Sequence, residues 1–375
     1  MLQKKDSSQK ETTPIQILLI FDAAKITSHK MKKKKRTILL SILTGTFLLC
    51  AIAGGTIYYY LFAPQFHPSK TVYIYVDRDD TADSITNKIK KFGYVNKLTG
   101  FHWMAKYKNL EQNIHTGRYA IRPNDNVYHV YSRFSRGYQE PMNLTVGSVR
   151  TLERLARSMG KQLMIDSAEI ARQLFDSTVQ ARLGYTEATL PGLFIPETYQ
   201  VYWDMSADEL IERMRKEHER FWNKERLAQA TAIGMTPEEV STLASIVEEE
   251  TNNNEEKPMV AGLYINRLHK DMPLQADPTI KFALQDFGLR RITNEHLKID
   301  SPYNTYINTG LPPGPIRIPS KKGIDSVLNY TKHNYIYMCA KEDFSGTHNF
   351  ASNYAEHMAN ARKYWKALNE RKIFK

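Results

Sequence analysis

The chain has 375 residues, of which 42% are hydrophobic and 25% are charged. This composition is too apolar for an intrinsically disordered protein, and the length allows two or three domains of roughly 100–200 residues each. With 18 Gly and 2 Cys, the chain is neither collagen-like nor a disulfide scaffold. The formal net charge is +12, and residues 1–36 alone contain 10 Lys or Arg against 3 Asp or Glu. Because no basic cluster follows, a nucleic-acid partner is not expected.

Residues 37–62 form an uncharged stretch that is long enough to cross a membrane as a helix. Five cations at residues 32–36 precede it, and three tyrosines at residues 58–60 stand near its other end. This is the arrangement expected at the two borders of a bilayer. The positive-inside rule therefore predicts a single-pass protein of the inner (cytoplasmic) membrane. Residues 1–36 are then a basic cytoplasmic tail, and the rest of the chain is periplasmic or extracytoplasmic.

A cleaved signal peptide that begins at Met31 is the alternative reading of the same segment. Ala51-Ile52-Ala53 has the A-x-A pattern of a cleavage site. The apolar run continues for nine residues beyond Ala53, which favours a retained anchor. Both readings export the rest of the chain. Whether residues 1–30 are translated stays open, because Met31 is the better start by pattern.

A small α+β module is predicted over residues 70–140. Residues 71–76 are rich in β-branched and aromatic side chains and predict a strand, and Thr81-Ala82-Asp83-Ser84 predicts the start of a helix. Further elements are predicted at residues 100–107 (helix), 116–121 (strand) and 127–134 (helix). Modules of this kind are commonly binding units. A spacer that holds the following domain away from the membrane is the alternative.

The remaining residues, 141–375, are predicted to form the main domain. Residues 142–146 predict a strand and residues 152–163 a helix. Residues 164–235 are expected to be mainly helical, with an interruption at LPGLFIPETY, residues 190–199. Two prolines and a glycine predict a rigid, irregular loop there. Such a loop can carry function or form the wall of a cleft.

The motif Thr236-Pro237-Glu238-Glu239 has every feature of a helix start: an N-cap threonine, proline at the first helical position and glutamate three residues after the cap. The predicted helix runs to Glu250 and ends with three consecutive glutamates. Acidic side chains are unfavourable near the negative end of the helix dipole. A local rule broken in this way points to function.

The helical spacing separates these three glutamates. Glu250 falls roughly 45° from the centre of the apolar stripe, whereas Glu248 and Glu249 fall roughly 115° and 145° away. Glu250 is therefore predicted to face the interior, where burial raises the pKa of a carboxyl group and suits it to be a general acid. The alternative, a frayed helix end with a solvated Glu250, stays open on the pattern alone. The apolar stripe consists of Val240, Leu243, Ala244, Ile246 and Val247.

Several polar segments follow this helix and suit a carbohydrate-binding groove, because amides, hydroxyls and tyrosines can pair with sugar hydroxyls and stack on sugar rings. They are YINR (264–267), LQADPT (274–279), SPYNTY (301–306) and HNF (348–350). No second His or Cys stands at zinc spacing from His348, so no metal site is expected. The sequence has no phosphate-binding glycine loop and no nucleophile elbow, so no cofactor is expected.

At these residues the chain resembles the YceG-like (MltG) family of endolytic murein transglycosylases. The matching blocks are LPGLFIPETY (190–199), LASIVEEET (243–251), AGLYINRL (261–268), MPLQADPTI (272–280), SPYNTYINTGLPPGPI (301–316) and HNFASNYAEH (348–357). HTGRYAIRP (115–123) is similar to part of the family's LysM-like domain. The resemblance implies an α+β protein with one N-terminal transmembrane helix (37–62), a LysM-like module (70–140) and a mixed α/β catalytic domain (141–375).

The resemblance also implies a reaction and a set of site residues. The reaction is cleavage of the β-1,4 bond between N-acetylmuramic acid and N-acetylglucosamine in nascent glycan strands, which leaves a 1,6-anhydro end and limits strand elongation. The catalytic residue would be Glu250, and Gln275, Asn304, Tyr306 and His348 would bind the substrate. The implied partners are peptidoglycan glycan strands and peptidoglycan synthases.

Two other functions fit the sequence. One is a hydrolytic muramidase that uses Glu248 or Asp277 as a second carboxylate. The other is a non-catalytic, membrane-anchored scaffold that binds glycan. Two segments depart from the family pattern, the polar Asn252-Asn253-Asn254 and the loop at residues 287–301, and they leave groove width and cut-site preference open.

Overall fold

The computed structural model describes residues 14–95, 97–289 and 291–371. Residues 1–13 of the predicted basic tail lie outside this part. The chain forms two compact units. The first unit holds residues up to 74 together with 80–115 and 119–138, and the second unit holds residues 75–79, 116–118 and 139–375.

The first unit begins with one long helix, α1 (Pro14–Ile57), which is followed by a π-helical turn (Tyr58–Phe62). The stretch Lys25–Phe62 is long and apolar enough to cross a membrane, and none of its most apolar part is buried inside the protein. The expected N-terminal apolar helix is therefore present. It also continues backwards through the basic residues 32–36, because nothing in that segment breaks a helix.

Residues 63–140 combine helices with a two-stranded sheet of β1 and β2. Thr81 caps α2, since its hydroxyl accepts a hydrogen bond from Ser84 N while Ser84 Oγ accepts one from Thr81 N. Phe66, Ile85, Ile89, Phe101 and Phe134 form part of the buried core. The five elements predicted for residues 70–140 are all observed: β1 (Val72–Val76), α2 (Ala82–Phe92), α3 (Thr99–Tyr107), β2 (Gly117–Ile121) and α4 (Val127–Ser135).

The second unit has two hydrophobic clusters. The first lies around an antiparallel pair, β3 (Met142–Val146) and β4 (Glu197–Val201), in which Leu144 is paired with Tyr199. Strand β4 corrects the expectation of an irregular loop over residues 190–199. Leu190–Leu193 forms a 3-10 turn and residues 194–196 have no regular secondary structure, as expected of a loop. The pairing with β3 makes residues 197–201 a strand instead. The helices of this part are α5 (Leu152–Gly160), α6 (Ser167–Phe175), α7 (Ser177–Leu183) and α8 (Ala207–Phe221).

The second cluster surrounds α10 (Pro237–Glu250), whose residues from Val240 to Val247 are all buried. Because α10 is enclosed on every side, its C-terminal end is held firmly where several other segments meet. The elements around it are α9 (Lys224–Ala232), α11 (Lys257–Leu268), α12 (Asp277–Ala283) and α13 (Lys321–Leu328). An antiparallel hairpin of β5 (Tyr337–Ala340) and β6 (His348–Ala351) and the last helix, α14 (Tyr354–Glu370), complete the unit.

Candidate active site

Helix α10 starts and ends where the sequence predicts. Thr236 Oγ1 accepts a hydrogen bond from Glu239 N at 3.2 Å, and Thr236 N donates one to Glu239 Oε2 at 2.8 Å. This capping box fixes the first turn. The buried body of the helix then carries the three glutamates to fixed positions at its other end.

Glu248 and Glu249 are held by positively charged and backbone donors from distant segments. Glu248 Oε2 accepts a hydrogen bond from Ser320 N at 2.7 Å, and its other oxygen lies 3.9 Å from Lys257 Nζ. Glu249 accepts two hydrogen bonds from Arg150, at 2.7 and 2.8 Å. It accepts a third from Arg317 at 2.9 Å. These partners neutralise two charges that the helix dipole disfavours.

The helical wheel is wrong about the exposure of these two residues. It predicts that Glu248 and Glu249 face away from the interior, yet their side chains are only 12% and 13% exposed. The reason is that segments 148–151 and 317–320 cover the side of α10 that a lone helix would leave in water. All three glutamates are therefore largely enclosed, and their partners distinguish them.

Glu250 differs from its neighbours because its hydrogen-bond partner is uncharged. Tyr264 on α11 donates a hydrogen bond from its hydroxyl to Glu250 Oε1 at 2.8 Å. Burial raises the pKa of Glu250 to about 7, the Tyr264 hydrogen bond lowers this pKa, and the negative charge of Asp277 raises it. A substantial fraction of this carboxyl group therefore keeps its proton near neutral pH.

Glu250 lines a cavity of about 230 Å³ in the second unit. The cavity brings together four of the five residues that the sequence nominates, although they are up to 98 positions apart: Glu250, Gln275, Tyr306 and His348. The other lining residues are Leu263, Tyr264, Arg267, Leu274, Asp277, Met338, Cys339 and Ala340. Polar groups thus surround Glu250, a carboxyl group with a raised pKa.

Gln275 and Arg267 form one side of this cavity. Gln275 has a positive φ of 52°, and its backbone N donates a hydrogen bond to Thr305 O at 3.0 Å. The side-chain Oε1 accepts a hydrogen bond from Arg267 at 3.3 Å. Arg267 is itself fixed by the carbonyl groups of Ile336 and Leu274, at 2.7 and 2.8 Å. These contacts orient the Gln275 amide, and its NH₂ group keeps its hydrogen-bonding capacity within the described part of the chain.

Tyr306 and His348 are each fixed by a carboxylate. The Tyr306 hydroxyl donates a hydrogen bond to Asp277 Oδ1 at 2.5 Å. His348 N donates one to Glu256 Oε1 at 2.6 Å, and His348 Nδ1 lies 3.0 Å from Glu256 Oε2. The described residues contain no group of three or more His, Cys, Asp or Glu side chains that could hold a metal ion.

Asn304 does not line the cavity, in contrast to the direct substrate contact that its motif implies. It is fully buried, and its Nδ2 donates hydrogen bonds to Leu297 O and Ile299 O, both at 2.9 Å. Its Oδ1 accepts one from Tyr306 N at 3.0 Å. Asn304 therefore shapes the loop that carries Tyr306.

Two lining residues, Tyr264 and Arg267, belong to the segment YINR that the sequence places in a carbohydrate-binding groove, but the sequence gives neither of them an individual role. They lie three positions apart on α11, so they share one face of that helix. The sequence signal that could have identified them as site residues is the position of a tyrosine and an arginine on one face of a largely apolar helix.

The sequence of this chain matches those of known proteins. The sequence model of the YceG-like family matches residues 74–363. A protein of Bacillus subtilis strain 168 named endolytic murein transglycosylase is 28% identical over 341 residues, which cover 85% of this chain and 93% of that protein. A protein of the same name from Streptococcus pneumoniae serotype 2 strain D39 is 27% identical over 354 residues. That match covers 85% of this chain but only 64% of the pneumococcal protein.

A solved structure is similar as well. The crystal structure of a YceG-like protein from Listeria monocytogenes has a TM-score of 0.52 and 26% sequence identity, and the match covers 78% of this chain and 99% of that chain. The family match begins within β1 and extends through nearly all of the second unit. This chain therefore belongs to the YceG-like family.

Proposed function

We propose that this protein is an endolytic murein transglycosylase. It cleaves the β-1,4 bond between N-acetylmuramic acid and N-acetylglucosamine within nascent glycan strands, leaves a 1,6-anhydro end and thereby limits strand elongation. The relatives' names support this proposal. The observation that carries it is the position of Glu250, which lines a cavity together with Gln275, Tyr306 and His348 and is hydrogen-bonded to the uncharged hydroxyl of Tyr264.

In the proposed reaction Glu250 acts first as an acid and then as a base. The protonated carboxyl group donates its proton to the glycosidic oxygen, and the bond from that oxygen to C1 breaks. The Glu250 carboxylate then accepts the proton of the C6 hydroxyl of the same sugar, whose oxygen bonds to C1. No water is consumed, and Glu250 ends protonated. Because the attack is intramolecular, positioning can take the place of a second carboxylate.

The other cavity residues would position the sugar. The NH₂ group of Gln275 can donate to an acetamido or hydroxyl oxygen, and Tyr306 can shape the wall opposite. His348 adds a further polar group whose Nδ1 is fixed by Glu256. Asn304 acts indirectly, by holding the backbone of Tyr306.

A hydrolytic muramidase is the second candidate, and the position of Asp277 favours it. Asp277 lines the same cavity as Glu250 and could activate water. Its Oδ1 accepts the Tyr306 hydrogen bond, however, which reduces its capacity as a base. Glu248, the other nominated second carboxylate, is paired with Ser320 and Lys257 and is not among the cavity's lining residues.

Digestion of purified sacculi, followed by mass analysis of the products, separates these functions. A transglycosylase gives anhydro ends, which lack one water relative to the reducing ends that a hydrolase gives. Asp277→Asn should still give anhydro ends, whereas Glu250→Gln should give no products. A non-catalytic scaffold would bind sacculi without cleaving them, and its binding would survive Glu250→Ala.

We further propose that α1 anchors the protein in the inner membrane as a single span over residues 37–62. Residues 1–36 would be cytoplasmic, and the LysM-like module (70–140) and catalytic domain (141–375) would lie outside. Glycan strands are the proposed substrate, and peptidoglycan synthases that make them are proposed partners. Protease added to intact spheroplasts should degrade residues after 64 and spare an epitope placed before residue 30. Protection of the catalytic domain would contradict this topology.

A further inference from the structure

A second cavity in the same unit, of about 540 Å³, has no role in the reaction described above. We call it the strand cavity. Its lining includes Arg150, Glu187, Pro191, Phe282, Tyr303 and Pro315. It is more than twice as large as the cavity around Glu250. One of its walls includes Pro191, from the segment 190–199 that the sequence predicts to be rigid.

An aromatic pair lies on the wall of the strand cavity. The rings of Phe282 and Tyr303 have centroids 4.7 Å apart and an interplanar angle of 50°. Both side chains are half-buried. Burial raises the pKa of Tyr303 to about 12, so its hydroxyl stays protonated. Within the described part of the chain this hydroxyl has no hydrogen-bond partner, so the pair offers an apolar ring face beside a free polar group.

Helix α12 connects the strand cavity to the catalytic cavity. Asp277 at its first position lines the catalytic cavity, and Phe282 near its other end lines the strand cavity. Between them Pro278 and Lys281 line a small space of about 50 Å³, which Phe282 and Arg150 also border. Seven helical residues extend about 10 Å. The three spaces therefore follow one another along a single helix.

Another part of the lining of the strand cavity is rigid. Pro191 lies in a 3-10 turn, and Gly314 approaches the neighbouring loop so closely that a Cβ atom there would lie 1.9 Å from Ala188 O. Only glycine permits this contact. A preformed wall loses little conformational entropy when a ligand binds, which favours binding of an extended chain.

The charge of the strand cavity suits neutral sugars better than peptide carboxylates. Arg150 is the positively charged residue among those that line it. Its Nε and Nη2 atoms donate hydrogen bonds to Glu249, at 2.7 and 2.8 Å. Its guanidinium carbon also lies 5.2 Å from the centre of the Phe287 ring. Arg150 is thus engaged on the protein side and is poorly placed to pair with a free carboxylate.

We propose that the strand cavity binds sugar rings of the same glycan strand, beyond the two rings that flank the cleaved bond. Phe282 and Tyr303 supply a stacking surface, and the Tyr303 hydroxyl donates to a sugar oxygen. This inference rests on the proposed function. It predicts a preference for long strands that depends on residues outside the catalytic cavity.

The test compares peptide-free glycan strands of two lengths as substrates, one long and one of four sugars. For Phe282→Leu, the ratio of kcat/KM for long over short strands should fall roughly tenfold, as expected for the loss of one stacking contact. Tyr303→Phe should lower the same ratio by less, because the ring remains. Tyr202→Leu removes an exposed aromatic residue that lines a different cavity and should leave the ratio unchanged.

Binding separates failure of this inference from failure of the proposed function. Calorimetry with Glu250→Gln protein and long peptide-free strands needs no cleavage. Adding Phe282→Leu should weaken that binding by roughly tenfold. An unchanged affinity and an unchanged length ratio would overturn the inference even if the wild type is active. Binding only of strands that carry peptides would assign the cavity to the peptide stem and would likewise contradict it.

Discussion

Tyr264 and Glu250 lie on consecutive helices of the second unit and are joined by a hydrogen bond of 2.8 Å from the tyrosine hydroxyl to glutamate Oε1. The contact stabilises the charged form of the glutamate, whereas burial stabilises its protonated form more strongly. The pKa of about 7 is the outcome of these opposing effects. The Tyr264 hydrogen bond therefore helps to set the pKa of the Glu250 carboxyl group.

Replacing Tyr264 by phenylalanine should move the pH profile of activity. The variant loses the hydrogen bond that lowers the pKa of Glu250, so this pKa should rise. Because the reaction needs protonated Glu250, kcat/KM should fall with increasing pH at a higher pH than in the wild type. The measurement is the pH dependence of kcat/KM on glycan strands. A shift of the falling limb to lower pH would show that Tyr264 does not act in this way.

Glu250→Gln should change how stability depends on pH. The folded-state pKa of about 7 lies above the usual value of 4.5, so the folded protein binds the proton more tightly than the unfolded chain. The wild type therefore loses stability as the pH rises from 4.5 to 7, by up to about 3 kcal/mol. Because glutamine does not titrate, the Glu250→Gln variant does not lose stability in this way. The free energy of unfolding in urea, taken as variant minus wild type, should be more favourable to the variant at pH 8 than at pH 4.5. The same difference at both pH values would contradict this.

Local patterns predict part of this site because they involve neighbouring residues. The capping motif at Thr236 defines the start of α10, and the helical spacing places Glu250 toward the interior. The partners of Glu249 are not predictable in this way. Arg150 lies 99 positions before Glu249 and Arg317 lies 68 positions after it, so only the folded chain reveals that this carboxylate is enclosed.

The hydrogen bonds from Arg150 and Arg317 to Glu249 should contribute strongly to the stability of the fold. Arg150→Ala leaves a carboxylate that is 13% exposed with fewer donors, and we expect a loss of about 1–3 kcal/mol in the free energy of unfolding. Arg182→Ala is the matched control, because Arg182 and Asp208 are 60% and 64% exposed. Such a surface pair contributes at most about 1 kcal/mol. Equal effects of the two substitutions in urea unfolding would show that the contact between Arg150 and Glu249 contributes no more to stability than an exposed ion pair.

Asn304→Ala should destabilise the loop that carries Tyr306. It removes two donated hydrogen bonds and one accepted hydrogen bond at a fully buried position. We expect a loss of about 2–4 kcal/mol. Asn308→Ala is the control, since Asn308 is exposed although it also donates to loop carbonyl groups. If Asn304→Ala reduced strand binding without reducing the melting temperature, Asn304 would contact the substrate after all.

Strand β4 shows a second limit of prediction from sequence. Residues 198–201 alternate between exposed and buried side chains, which is a strand pattern, but two prolines and a glycine just before them favour a loop. The deciding interaction is the pairing with β3, more than fifty positions earlier. Asn304 illustrates the same limit for function, because its motif nominates it for the site but does not distinguish a group that contacts the substrate from one that holds a loop.

A direct titration of Glu250 tests whether this carboxyl group keeps its proton near neutral pH. Infrared difference spectra between wild type and Glu250→Gln isolate the band of one protonated carboxyl group as the pH is raised. This band should disappear with a midpoint near pH 7. A midpoint near 4.5, the usual pKa of glutamate, would show a solvated carboxylate that cannot serve as the acid in this reaction.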